Sequence, residues 1–449
     1  MKKSILIRPS ATLVTIVGMA AFGGAADEAK PAKLRVAGKA FIEAVVRGDY
    51  AAATKNFDDT MRKALPADKL QELWKTLNNK LGKFKAHGNI RVEKSGKYDV
   101  VLVTCQFEKL ALDGRIVFDE KERITGLFFV PAATGEYKPP EYVQRDSFQE
   151  MEVKFGALEW ELPGTLSVPK GDGRFPAVVL VHGSGPNDRD ETIVGNRPFR
   201  DLAWGLASRK VAVLRYDKRT RVHGAKMAAK KIYPTVKEEV TDDALAALAF
   251  LRKTKGIDGR RVFVLGHSLG AILAPQLAEL DPQIAGLIIM AGATRPLEDL
   301  ALEQFTYLYS LEGKPTDEQR AELEKIKKQI AKVKDPNLSR DTPASELPLG
   351  APAAYWLSLR DAKPVERATK LSTPMLVLQG ERDYQVTMED FAGWKKALAG
   401  RKTATLKSYP KLNHLFMGGL GKAKPDEYMK TNHVAKEVID DIAAWIEKP

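Results

Sequence analysis

Cysteine is nearly absent: Cys105 is the only one in 449 residues. No intramolecular disulfide, cysteine cluster or zinc ribbon can therefore form, and a chain of this length can bury a full core without them. Metal and nucleotide motifs are missing too. There is no H-E-x-x-H, no paired C-x-x-C and no G-x-x-x-x-G-K, so neither a metal nor a cofactor is expected. Internal repeats and low-complexity tracts are lacking. With 44% hydrophobic and 29% charged residues, the composition is globular, which excludes a disordered, collagen-like or coiled-coil protein. Beyond the N-terminus no run reaches the roughly 18 apolar residues of a membrane span.

Charge of one sign is in excess but is not gathered. There are 71 Lys+Arg against 58 Asp+Glu, a net +13. Lys2, Lys3 and Arg8 precede a short apolar stretch, 11–22, and then the small residues Gly24, Ala25 and Ala26. This is the pattern of a cleaved export signal over residues 1–26, implying a periplasmic or extracellular protein with no stable membrane anchor after cleavage. No cysteine follows the stretch, so a lipoprotein anchor is excluded. Removing it takes away three positive charges and lowers +13 to +10. Residues 27–150 then carry +3 and residues 151–449 carry +7. A nucleic-acid footprint would be clustered on one face or helix, and no such cluster is visible.

Two textures divide what remains. From about Lys33 to Gly82, apolar residues such as Phe41, Ala44, Val45, Leu70, Leu73, Trp74 and Leu77 recur at helical spacing. From about Asn89 to Val130 the pattern is β-rich, which together predicts a small α+β domain over 30–135. A Pro- and Gly-bearing stretch, 136–150, reads as a linker. Residues 151–449 alternate strand and helix. The strands are predicted at Ala177–Val181, Val211–Tyr216, Val262–Gly266, Ile284–Met290, Met375–Gln379 and Thr403–Tyr409. Helices fall at Phe199–Arg209, Glu238–Lys253, Leu269–Leu280 and Met388–Ala399, with a closing one from about Asn432. Near-continuous apolar strands with helical crossovers predict a doubly wound, mostly parallel α/β sheet covered on both faces. The interval 295–370 is too long for a simple crossover and reads as an inserted cap. It contains the charged helical run Asp317–Lys334 and the aromatic residues Phe305, Tyr307, Tyr355 and Trp356, which suggest a partly apolar acyl pocket.

Chemistry is signalled first by Gly266-His267-Ser268-Leu269-Gly270, a G-x-S-x-G between a strand and a helix, the context a nucleophile elbow requires. A serine hydroxyl needs a base to take its proton. In this architecture the order along the chain is Ser, acid, His. His87, His182, His223 and His267 fail that order, and His433 is read as a packing histidine at the start of the last helix. His414, in the loop after the last strand, remains. The acid is expected in Gly380-Glu381-Arg382-Asp383, with Asp383 preferred and Glu381 the alternative. His182-Gly183-Ser184-Gly185-Pro186 follows an earlier strand and supplies small residues whose N–H groups can face an oxyanion. The expected donors are Ser184 N–H, with Gly183 as the alternative, and Leu269 N–H.

From about Phe155 onward the chain resembles the α/β-hydrolases, in particular bacterial serine esterases. The resemblance is carried by HGSGPNDRDE at His182–Glu191, RYDKR at Arg215–Arg219, GHSLG, GERD and LNHLF. It implies hydrolysis of a small-molecule carboxylic ester through an acyl-enzyme, with Ser268, Asp383 and His414 as triad and no cofactor. Thr220–Gly224 departs from the glycine-rich continuation of many relatives. Arg215, Asp217 and Arg219 are expected to form a salt-bridged loop. Phe41 to about Phe107, with Gly48-Asp49-Tyr50, Phe57-Asp58 and Gly82-Lys83-Phe84, resembles a small domain of unknown function with a shape like nuclear transport factor 2. A serine peptidase of the same fold, or a non-catalytic binding protein on that scaffold, are the competing readings. Oligomeric state is left open.

Overall fold

The computed structural model describes residues 29–95, 98–132, 137–311 and 313–448; the expected export signal lies outside them. The chain forms two units that divide after Tyr137.

In the first unit, four helices (Ala29–Arg47, Tyr50–Thr54, Asp59–Ala64 and Ala67–Leu81) precede an antiparallel meander. Its strands are β1 (Phe84–Ser95), β2 (Tyr98–Phe107), β3 (Ala111–Phe118) and β4 (Ile124–Pro131), in that spatial order. The short helices start where Asp49 and Asp58 cap the N–H groups of Ala52 and Met61, satisfying donors that a helix start leaves free. Val101, Val103, Cys105 and Phe107 alternate inward along β2 and meet Leu34, Phe41, Ile42 and Val45 of the first helix. Trp74 closes the core against Phe84, Phe107 and Phe129, with ring centroids 5.5–5.9 Å apart. β1 begins five residues before the expected Asn89; its register shifts between His87 and Ile90, which breaks the alternation that a sequence reading relies on.

In the second unit, eight strands form one sheet, with β5 (Phe148–Phe155) and β6 (Leu162–Pro169) at one edge. The other six are parallel: β7 (Phe175–Val181), β8 (Ala212–Tyr216), β9 (Ile257–His267), β10 (Leu287–Met290), β11 (Met375–Gly380) and β12 (Ala404–Tyr409), and the spatial order is β12-β11-β10-β9-β7-β8-β6-β5. Alternate residues of one strand feed two cores. Val179 and Val181 pack toward the helices Asp242–Lys253 and Leu269–Leu280, while Val178 and Leu180 pack toward Pro198–Ala207 and Lys436–Glu447. Each such fully buried aliphatic side chain contributes about 1.5–3 kcal/mol, so both faces must be covered and the strands read as unbroken apolar runs.

Three expectations need correction. Phe148–Phe155 and Leu162–Pro169 are strands β5 and β6, an antiparallel hairpin at the sheet edge. β5 mixes exposed and buried positions with charges, as an edge strand does, and β6 is bounded by prolines; neither reads as a core strand. For the same reason 136–150 is not all linker: Tyr142 donates to the Val434 carbonyl at 2.8 Å, and β5 starts at Phe148. The last helix starts at Lys436, so His433 precedes it. The segment after β10 forms the helices Leu297–Ser310, Asp317–Lys334, Ala353–Arg360 and Pro364–Lys370 before the chain re-enters at β11. Among the described residues no helix is long and apolar enough to cross a membrane.

Candidate active site

β9 runs directly into the helix Leu269–Leu280 with Ser268 at the turn. Its backbone is forced to φ 53°, ψ −113°, a conformation that non-glycine residues rarely hold without a reason. The flanking glycines follow from the crowding. A Cβ on Gly266 would strike the backbone of Gly270 and Ala271, and one on Gly270 would strike the Val181 carbonyl. Ser268 is thereby lifted to the N-terminus of a buried helix, where unpaired N–H groups and the helix dipole favour negative charge.

His414 and Asp383 come together from the loops after β12 and β11. His414 Nδ1 lies 2.6 Å from Asp383 Oδ2, and both residues are buried, at 4% and 2% exposure. Asp383 is itself held: its Oδ1 accepts from the N–H groups of Gln385 and Val386 at 2.7 and 3.1 Å. Asn413 fastens the turn carrying His414 by accepting from the Leu415 and Met417 N–H groups. Glu381, the alternative acid, is exposed and accepts from the Ser408 hydroxyl at 2.8 Å.

The loop after β7 lies against the nucleophile, since a side chain on Gly183 would begin 3.3 Å from Ser268 Cβ. Its backbone polar groups are almost all spoken for. Gly183 N–H donates to Glu191 Oε1 at 2.6 Å, and Gly185 N–H donates to Glu239 Oε1 at 3.1 Å. The Gly183 carbonyl accepts from Lys218 Nζ at 2.9 Å and from Asn187 Nδ2 at 3.2 Å. Among the described residues, Ser184 N–H is left between them without an acceptor. Of the two candidate donors of this loop, Gly183 N–H is thus occupied by a carboxylate and Ser184 N–H is not.

Sequence reading missed the side chains that hold this loop. Lys218 and Glu239 form a buried pair at 2.6 Å, and Glu239 sits in a π-helical turn, Lys237–Thr241. Lys218 lies in the RYDKR segment, but nothing local marks Glu239 as its partner, because the pairing spans 21 positions. His182 stays uncharged at neutral pH, as burial pushes it down to about 4; its Nε2 lies 3.0 Å from the Asp188 carbonyl. The RYDKR residues are structural. Arg215 pairs with Asp190 and Glu150, Asp217 with Arg189, and Arg219 with Asp243.

Beside Ser268 and Ser184 opens a cavity of about 330 Å³. Its far walls come from the inserted helices, including Leu300, Phe305, Leu308, Tyr355 and Trp356, and Glu239 is the only ionisable carboxylate on it. Tyr307 does not line it. That ring stacks on Tyr384 at 5.3 Å and its hydroxyl donates to the Ala423 carbonyl, because its helix turns that face toward the loop after β12. Among the described residues no cluster of His, Cys, Asp and Glu could hold a metal ion.

Comparison with known proteins agrees with this layout. A family described as serine aminopeptidase, S33, matches residues 176–419, more than half of the chain. The chain belongs to this family of α/β-hydrolases. Residues 39–127 match a family described only as a protein of unknown function. The esterase EstD of Thermotoga maritima is 38% identical over 412 residues, covering 91% of this chain and 94% of that protein. Among solved structures, an esterase of Pyrococcus furiosus is 15% identical, with 71% of this chain and 96% of that one covered at a TM-score of 0.44. The esterase Est1E from Butyrivibrio proteoclasticus is 17% identical, with 66% and 99% covered at 0.43. Likeness at that level says nothing of activity.

Proposed function

We propose that the protein is a serine esterase that cleaves small-molecule carboxylic esters through an acyl-enzyme. Ser268 attacks the carbonyl and His414 takes its proton, later returning it to the leaving alcohol. Asp383 holds the imidazole tautomer and stabilises the imidazolium. The N–H groups of Ser184 and Leu269 receive the oxyanion, each worth about 3 kcal/mol at the transition state. The observation that carries this reading is the His414–Asp383 contact at 2.6 Å, with the His414 ring 4.7 Å from that of His267, the residue preceding a serine held at φ 53°. Support for an ester comes from the 38% identity to an esterase over most of the chain.

The family description makes an aminoacyl amide the competing substrate. An aminopeptidase needs a carboxylate free to meet the substrate's ammonium group. On this cavity the only one, Glu239, is already bound by Lys218 Nζ and Gly185 N–H. The apolar wall suits a neutral acyl or alcohol group instead. A fluorophosphonate probe is expected to label the wild type and leave Ser268→Ala unlabelled, and wild-type protein to turn over p-nitrophenyl esters but not aminoacyl p-nitroanilides. Equal labelling of both proteins would remove Ser268 from the mechanism, and faster amide cleavage would reverse the substrate order.

Export through residues 1–26 is part of the same reading, supported by the charge and apolar pattern there. Expressed with its full leader in a bacterium, the protein is expected to be recovered outside the cytoplasm with its N-terminus near residue 27; an intact Met1 by mass spectrometry would refute it.

A further inference from the structure

The mechanism above leaves one buried charged pair unused. Glu191 and His267 are 3% and 5% exposed, and neither lines the cavity. His267 Nδ1 lies 2.9 Å from Glu191 Oε2, and its Nε2 lies 3.0 Å from the backbone carbonyl of His414. An imidazole flanked by two acceptors has a constrained protonation state. A neutral ring would leave the buried carboxylate without a counter-charge, whereas the imidazolium donates to the His414 carbonyl and stands in ion-pair contact with Glu191. Burial opposes that charge, but the Glu191 carboxylate outweighs it, holding His267 above its ordinary value and Glu191 below the usual carboxylate range.

The other oxygen of Glu191 accepts the Gly183 N–H at 2.6 Å. One ion pair therefore ties together the oxyanion loop, the residue preceding the nucleophile and the loop of the base. Glu191 also holds φ 49°, backbone strain that the surroundings must sustain. A buried ion pair is costly to desolvate and is weak evidence for stability, so its presence at this junction calls for another explanation. We infer that Glu191 and His267 are a positioning pair that keeps the oxyanion loop and the His414 loop in register with Ser268, and so act on kcat rather than on substrate binding.

The inference rests on the esterase reading, and the experiment separates the two. Steady-state hydrolysis of p-nitrophenyl butyrate by the full chain is compared for wild type, Glu191→Ala and Glu191→Gln, with thermal melting as the fold control. Misplacement on the ångström scale can cost about 10²-fold, so Glu191→Ala is expected to lower kcat by that factor with KM within about twofold. Glutamine can accept from Gly183 and donate to a neutral His267, and is expected to recover at least about tenfold of the loss. A folded Glu191→Ala with kcat within threefold of wild type, or glutamine no better than alanine, overturns the pair.

Should Glu191→Ala not fold, the comparison of Glu191→Leu with Glu191→Gln decides. The rings of His267 and His414 stand 4.7 Å apart. His414 faces Asp383 and His267; His267 faces Glu191; Glu191 also lies near His182, which is uncharged, and Lys218 is paired with Glu239. Leucine keeps the bulk but accepts nothing from Gly183, so Glu191→Leu is expected to show a kcat about 10²-fold below wild type at little-changed KM and well below that of Glu191→Gln; equal kcat in the two variants overturns the inference. A wild type that hydrolyses no ester would fail the esterase reading instead.

Discussion

In the N-terminal unit the buried carboxylates Asp99 and Asp113 reach outward to partly exposed cations, Lys30 and Lys94 for the one and Arg91 for the other. The hydrolase unit also encloses both partners of some pairs. Lys218 with Glu239, Arg215 with Asp190, His267 with Glu191 and His414 with Asp383 are all buried on both sides. A carboxylate that keeps its partner at the surface retains much of its hydration, while a fully enclosed pair must offset several kcal/mol of desolvation per ion through geometry. The first unit invests in Trp74, Phe57, Phe107 and aliphatic packing; the second accepts enclosed charge around the ends of β7, β9, β11 and β12. The contrast separates a unit organised for packing from one organised around a reaction.

Three substitutions or probes sharpen that contrast. Asp383→Asn leaves a neutral amide beside His414 and is expected to lower kcat for a p-nitrophenyl ester by about 10⁴-fold, since the wrong tautomer is favoured. A loss under tenfold would mean another group orients the base. Leu70→Ala cuts a fully buried side chain from the N-terminal core and is expected to cost about 2–5 kcal/mol of that unit's stability in urea titration. Turnover per probe-titrated serine should stay as in wild type; a parallel fall in turnover would break the division of labour. The smallest effect is expected at Cys105, whose thiol burial pushes up to about 12. At pH 8 only about one thiol in 10⁴ is then ionised, so a disulfide reagent should react in urea and barely in the native state. Fast native labelling would show that the N-terminal core opens readily.

The parts of the site legible in the sequence are the local ones. Ser268 stands out because strand, turn and helix lie within a few residues, and His414 and Asp383 because each follows an apolar strand directly. Strands β7 to β11 were visible as apolar runs for the same reason that they are covered on both faces. What escaped was decided by edges and by distance. β5 carries an edge-strand pattern, mixing exposed and buried positions, and β6, though buried, holds Pro163, Gly164 and Pro169, so the pair looks like linker and turn. Tyr307 was grouped with the pocket aromatics by proximity in sequence, yet its helix presents it to Tyr384.

Residue order by itself determined the class of fold and the strand–turn–helix segment around Ser268, and put Asp383 and His414 in strand-end loops, because periodicity and strand-end position are properties of short segments. Only the tertiary structure decided which N–H groups of the loop after β7 are already spent. Gly183 N–H is taken by a carboxylate eight residues away, and Gly185 N–H by one 54 residues away. A hydrogen-bond donor can be spent once, and which donor remains for a reacting oxygen depends on partners that come close only when the sheet has closed.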